Sequence, residues 1–131
     1  MSGSYSRRRG NTAEVEVCAA LRRLGIEAIT SRNARGGAQQ GPDIVCPDLP
    51  VAVEVKSQSR DALPSWVDQA RGQADGTAPG AVVHKRRGKA RAEGWFVTMQ
   101  FDDFVALVVD LDFVALVDRF RDAPSDFGGD A

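Results

Sequence analysis

Apolar positions first fall into a helical rhythm near the start of the chain. Val17, Cys18 and Leu21 follow Glu14 at i+3, i+4 and i+7, the spacing of one helix face. Asn11, three residues before Glu14, fits a capping box. Arg22 and Arg23 suit the negative end of the helix dipole, and Gly25 suits a helix stop. Period-two or short β-rich runs then predict strands at residues 26–31, 43–46, 51–56, 81–85 and 95–99. Ser65 is placed to cap a helix running to about Ala74, and Asp102 and Asp103 to open another through about Val109. Between these lie a Gly- and Gln-rich loop at 32–42, a Pro-Asp-Leu-Pro turn at 47–50 and a basic loop at 86–94. The order α-β-β-β-α-β-β-α predicts an α/β domain with one central, mixed five-stranded sheet flanked by helices.

At 131 residues, this is material for one domain. Residues 1–10, polar and rich in arginine, are expected to be a basic flexible arm. Residues 11–109 form the predicted domain, and residues 110–131 an acidic extension with a short helix followed by disorder. The extension contains an oddity: DFVALV at 103–108 recurs at 112–117. Nine residues turn a helix through roughly 900°, so one continuous helix would point the copies to opposite sides. Two short helices, or a break near Asp110, are expected. The repeat reads either as a local duplication or as an apolar face for self-association.

The net charge of −1 hides a division. Residues 1–91 carry 15 basic and 9 acidic side chains, and residues 92–131 carry 2 and 9. The chain is thus a basic body with an acidic tail. The tail is expected to pack on a partner subunit or to screen the basic surface. The sequence has no apolar run of membrane-spanning length and no secretory leader pattern. Cys18 and Cys46 lack metal-site spacing and read as core thiols, which together predict a cytoplasmic protein.

The candidate chemistry centres on Pro42-Asp43 and Glu54-Val55-Lys56. A turn at 47–50 sets Cys46 opposite Val51 and therefore Asp43 opposite Glu54. Facing residues stand roughly 4.5–5.5 Å apart at Cβ, where like charges repel. A hard divalent cation between them would remove the conflict, since Mg²⁺ takes oxygen donors from one or two carboxylates. Lys56 shares the face of Glu54, and Val53 and Val55 take the other. A cation beside an ammonium suits phosphodiester hydrolysis. Glu14 lies on the apolar face of the first helix and reads as a third acidic group or as the capping-box member. Glu16 is expected to face solvent.

The segments GNTAEVEVCAALRRLG, GPDIVCPD, VAVEVKSQ and VDQA together resemble the PD-(D/E)XK nuclease superfamily, and within it the archaeal-type Holliday junction resolvases and their small phage-encoded relatives. The likeness covers residues 9–108. It implies a restriction-endonuclease-like core and a metal-dependent endonuclease of DNA recombination and repair, acting on four-way junctions as a homodimer with Mg²⁺ or Mn²⁺ and no organic cofactor. It implies catalytic roles for Glu14, Asp43, Glu54, Lys56 and Gln69, with Asp43, Glu54 and Glu14 at the metal. Ser31 is the nearest counterpart of a loop serine found in some members, at a spacing that does not match cleanly. A nuclease of flap, linear or foreign DNA, or a non-catalytic DNA-binding module on the same scaffold, are the alternatives.

Phosphate contacts come from Arg and Lys. The candidates are Arg7, Arg8, Arg9, Arg32, Arg35, Lys85, Arg86, Arg87, Lys89 and Arg91. Trp66 and Trp95 read as core residues. His84 reads as structural or as a phosphate contact.

Overall fold

The computed structural model describes residues 2–34, 41–58, 62–74 and 78–110, with the backbone alone given at 2–6 and 110. Within them the chain forms α1 (Ser2–Arg23), β1 (Ile29–Thr30), α2 (Ser31–Ala34), β2 (Ile44–Val45), β3 (Ala52–Lys56), α3 (Leu63–Ala74), β4 (Gly80–His84), a 3₁₀ turn (Ala92–Gly94), β5 (Phe96–Thr98) and α4 (Phe101–Asp110). This is an α/β arrangement with a mixed five-stranded open sheet ordered β1-β2-β3-β4-β5 and helices flanking it. Only β3 and β4 run parallel. Parallel neighbours need a crossover connection, and α3 lies in it. No helix among the described residues is long and apolar enough to cross a membrane.

The first helix is longer than the apolar rhythm predicts. It begins at Ser2, so the expected flexible arm at 1–10 is helical backbone from residue 2 onward. Arginine is a good helix former, and the stretch holds no proline to break it. Asn11 and Glu14 therefore lie inside the helix, and no capping box forms. The Thr12 hydroxyl donates instead to the Arg8 carbonyl one turn back, at 2.9 Å. The C-terminus follows expectation. Gly25 adopts φ +84°, its N–H reaches the Arg22 carbonyl at 2.9 Å, and the Ile26 N–H reaches Leu21 at 2.9 Å. Those two bonds are a Schellman cap.

Two layers of core lie on the two sheet faces. Ala13, Val17 and Cys18 of α1 pack with Ile44, Val53, Val55 and Trp95. Trp66 and Ala70 of α3 pack with Val82 on the other face. Gly80 sets how closely α3 approaches, because a Cβ there would stand 2.4 Å from the Ala70 carbonyl oxygen. Both tryptophans are 8% exposed, as core residues should be. The Trp95 indole N–H donates to the Lys89 carbonyl at 2.8 Å. Burial pushes the Cys18 thiol pKa up, and neither Cys18 nor Cys46 is in a disulfide.

Three local expectations are corrected. The first strand spans only Ile29–Thr30, and residues 31–34, the last position of the predicted strand and the start of the predicted loop, form a helical turn, with the Thr30 Oγ1 accepting the Asn33 N–H at 3.3 Å. The third helix starts at Leu63, before Ser65, whose hydroxyl donates to the Ala62 carbonyl rather than capping. Glu16 does not face open solvent. Its carboxylate accepts from Arg23 at 2.5 Å and from the Ala92 N–H at 2.7 Å. Arg23 also grips Glu93 through two bonds of 2.7 and 2.8 Å, which holds the Glu93 carboxyl below its ordinary pKa. Glu93 thus belongs to the body that it clamps, not to the acidic tail. α4 ends at Asp110. The second DFVALV copy and the rest of the extension lie outside the described residues.

Candidate functional site

The strand pairing that juxtaposes the carboxylates follows the predicted register. Ile44 stands opposite Val53, and the Asp43 N–H donates to the Val53 carbonyl at 3.0 Å. Asp43 and Glu54 thereby face each other across the β2–β3 pairing. Asp43 is fixed from several directions. Its carboxylate accepts the Val55 N–H at 2.8 Å, and its carbonyl accepts the Ser31 N–H at 2.8 Å. The Ser31 hydroxyl, itself buried, donates to the Pro42 carbonyl. Ser31 therefore holds the strand that presents Asp43 and is not among the residues lining the cleft.

Glu54 is 2% exposed on a strand covered on both faces. A buried carboxylate without a counter-charge is costly, and the pKa values show where the cost falls. Burial first, then the Asp43 charge, pushes Glu54 up to about 8. Burial also raises Asp43, against the lowering pull of the Val55 N–H and of Lys56.

Lys56 stands beside them, and its ammonium donates to the Gln69 amide oxygen at 2.7 Å. Gln69 and Gln73 lie one turn apart on α3, and Gln73 accepts the Gly41 N–H at 2.9 Å. One polar stripe of α3 thus fixes both Lys56 and the approach to Asp43. Glu14 reaches the site from α1, and burial and the Asp43 charge raise its pKa. It is paired with Arg32 at 3.7 Å. Arg32 Nε is buried and has no hydrogen-bond partner among the described residues.

These groups share one polar cleft of about 220 Å³, lined by Arg9, Glu14, Asp43, Glu54, Lys56 and Gln69 with Gly10, Val55, Ser57 and Gln58. All five residues proposed from the sequence as catalytic are therefore brought together. Among the described residues no group of three or more His, Cys, Asp or Glu is gathered as a metal site. Glu14 is turned to Arg32, and Asp43 and Glu54 are the acidic pair set face to face by the strand register. Two hard oxygen donors in a polar cleft fit a Mg²⁺-type ion, which needs one or two carboxylates and keeps several waters.

The basic candidates divide. Arg9 lines the cleft and donates to the Ser57 carbonyl at 2.6 Å, and Arg7 and Arg8 are exposed on the same helix. The Lys85 N–H bonds the Lys56 carbonyl at 2.8 Å, so the basic loop departs next to the site, but none of Lys85, Arg86, Arg87, Lys89 and Arg91 lines the cleft. Arg35 lies outside the described residues. His84 shares a 2.9 Å hydrogen bond with the Thr98 hydroxyl. Ser57 and Gln58 are lining residues that the sequence did not single out. Both follow Lys56 directly, just beyond the end of β3.

No family model matches the chain, and neither a curated protein nor a solved structure does.

Proposed function

We propose that the protein is a metal-dependent DNA endonuclease with a restriction-endonuclease-like core, hydrolysing phosphodiester bonds at branched DNA such as a four-way junction. The observation that carries this reading is the half-buried Asp43 facing the buried Glu54 across the β2–β3 pairing, beside Lys56 in a polar cleft. A fold gains nothing in stability from a buried carboxylate that faces a second acidic side chain. A site that must bind a divalent cation has a use for them.

Asp43 and Glu54 would hold Mg²⁺ or Mn²⁺, with Glu14 joining once it leaves Arg32. A cation bound here supplies Lewis-acid stabilisation of the charge that develops on the phosphoryl group. Lys56 places an ammonium next to that position, where it offsets the same charge and orients the attacking water. Gln69 is a positioning residue, because it acts by fixing the Lys56 ammonium. Arg7, Arg8 and Arg9, together with the loop that begins at Lys85, supply phosphate contacts on either side of the cleft. Two symmetric cuts at a junction call for two copies of the site, so the reading includes a homodimer, acting in the cytoplasm.

The test is cleavage of labelled four-way junction, flap and linear duplex in millimolar Mg²⁺ or in EDTA. The wild type is compared with Asp43→Asn and Lys56→Ala. Mg²⁺-dependent cutting is expected, lost by on the order of 10³-fold or more in each variant. Paired symmetric nicks in the junction are expected for the resolvase form, and preference for flap or linear DNA would redirect the substrate. Equal cutting by all three proteins would sink the catalytic assignment.

A further inference from the structure

A row of side chains leads from the cleft to the edge of the sheet, and the reaction proposed above does not use it. Lys56 on β3 is in register with His84 on β4, and His84 with Phe96 on β5. Register partners project from the same side of a sheet, so all three stand on the face that α3 partly covers. Lys56 lines the cleft. The half-buried His84 ring lies 6.0 Å from Trp66 and 6.0 Å from Phe96. Phe96 ends the row on the last strand, and it is 52% exposed.

The surroundings of Phe96 differ from those of an ordinary exposed apolar residue. The Arg86 guanidinium sits 4.8 Å from the centre of its ring, with one nitrogen 3.4 Å from the Gly94 carbonyl. Lys85 and Arg87 flank Arg86, and all three are exposed. An accessible ring with cations around it is the combination that binds single-stranded nucleic acid, through stacking on any base and attraction to the backbone. Strands are spaced roughly 4.8 Å apart, so Phe96 lies about 10 Å from Lys56 across the sheet. A base next to a nucleotide held at Lys56 can reach it. Trp66 offers no such ring, being buried, and Val97 points to the opposite face.

We propose that Phe96, capped by Arg86, is a stacking platform for an unpaired base of the DNA strand whose backbone lies in the cleft. This rests on reading the cleft as a nuclease site, and it names the substrate class more closely. The DNA must expose an unpaired base near the cleaved phosphate, as at a fork or flap, or at a four-way junction whose central pairs have opened. In continuous duplex the bases are stacked on one another and Phe96 has nothing to receive.

The test measures binding of a fluorescent fork and of a blunt duplex of equal length to the full chain in EDTA, alongside cleavage of the fork in Mg²⁺. Phe96→Leu keeps apolar bulk but removes the ring, and Phe96→Trp keeps a ring. The wild type is expected to favour the fork. Phe96→Leu should weaken fork binding roughly tenfold without changing duplex affinity, whereas Phe96→Trp retains the preference. Wild-type fork affinity in Phe96→Leu overturns the platform, and so does a wild type that binds fork and duplex alike. In either case Mg²⁺-dependent cutting would leave the nuclease reading standing. Conversely, a fork preference lost in Phe96→Leu, in a protein that never cuts, keeps the platform and removes the nuclease.

Discussion

The two sides of this sheet invert the usual rule of apolar inside and polar outside, each in its own way. Around β2 and β3, a carboxylate is buried and faces a second, half-buried one. Glu54 is 2% exposed, on a strand flanked by packed valines. Around β5 and α4, apolar side chains are out in solvent. Phe96, Val97, Phe101, Phe104, Val105, Val108 and Val109 are all between 42% and 79% exposed, and α4 is tied to α3 by the exposed Arg71–Asp103 pair at 2.8 Å. Buried polar groups and exposed apolar patches are the informative departures from the burial rule. The first departure costs stability and points to a ligand with charge. The second costs solvation and marks surface available for contact.

The comparison can be broken at either side. Its stable reference is the α3 layer, where Trp66→Ala is expected to cost about 3–5 kcal/mol, read as a fall in the urea midpoint. A loss near zero would mean that this layer is not packed as described. At the polar side, Gln69→Ala should lower Mg²⁺-dependent cleavage by roughly 10–100-fold, the usual scale for a group that holds a functional side chain in place. The melting temperature should barely change, since Gln69 is exposed. At the apolar side, Phe101→Ser removes a ring that is 79% exposed, and stability should stay within about 0.5 kcal/mol. A large loss there would show that the face is covered in solution.

Much of the polar side was legible in the sequence because its contacts are local or set by one turn. The turn at 47–50 is enough to align Ile44 with Val53, and with it Asp43 with Glu54. Lys56 follows from strand alternation, and the Gly25 stop from the need for positive φ. Other features depend on distant partners. Arg23 meets Glu93 across 70 positions, so local charge patterning alone places Glu93 with the tail and Glu16 at the surface. The turn of helix 31–34 and the start of α1 at Ser2 were missed because neither segment shows an apolar period. Arginine propensity extends α1, and Thr30 side-chain bonding fixes the short turn. Gln69 came from the family resemblance alone, and its contact with Lys56 gives it a physical role. The acidic extension, including the second DFVALV copy, lies beyond the described residues.

The most direct test of the central claim, that the facing pair of Asp43 and Glu54 is a cation site, is thermal unfolding of the wild type and Glu54→Gln across pH, in EDTA and in Mg²⁺. The folded state holds a proton on Glu54 up to about pH 8, while the unfolded chain releases it near the ordinary value of 4.5. More protons are then bound in the folded state. Wild-type stability in EDTA should fall as pH rises through that window, and Glu54→Gln should flatten the fall. Mg²⁺ takes the place of the proton, so it should raise the wild-type melting temperature more at about pH 9 than at about pH 6, and leave Glu54→Gln nearly unmoved. A wild type indifferent to Mg²⁺ at both pH values, or a variant that responds as strongly, would contradict the account.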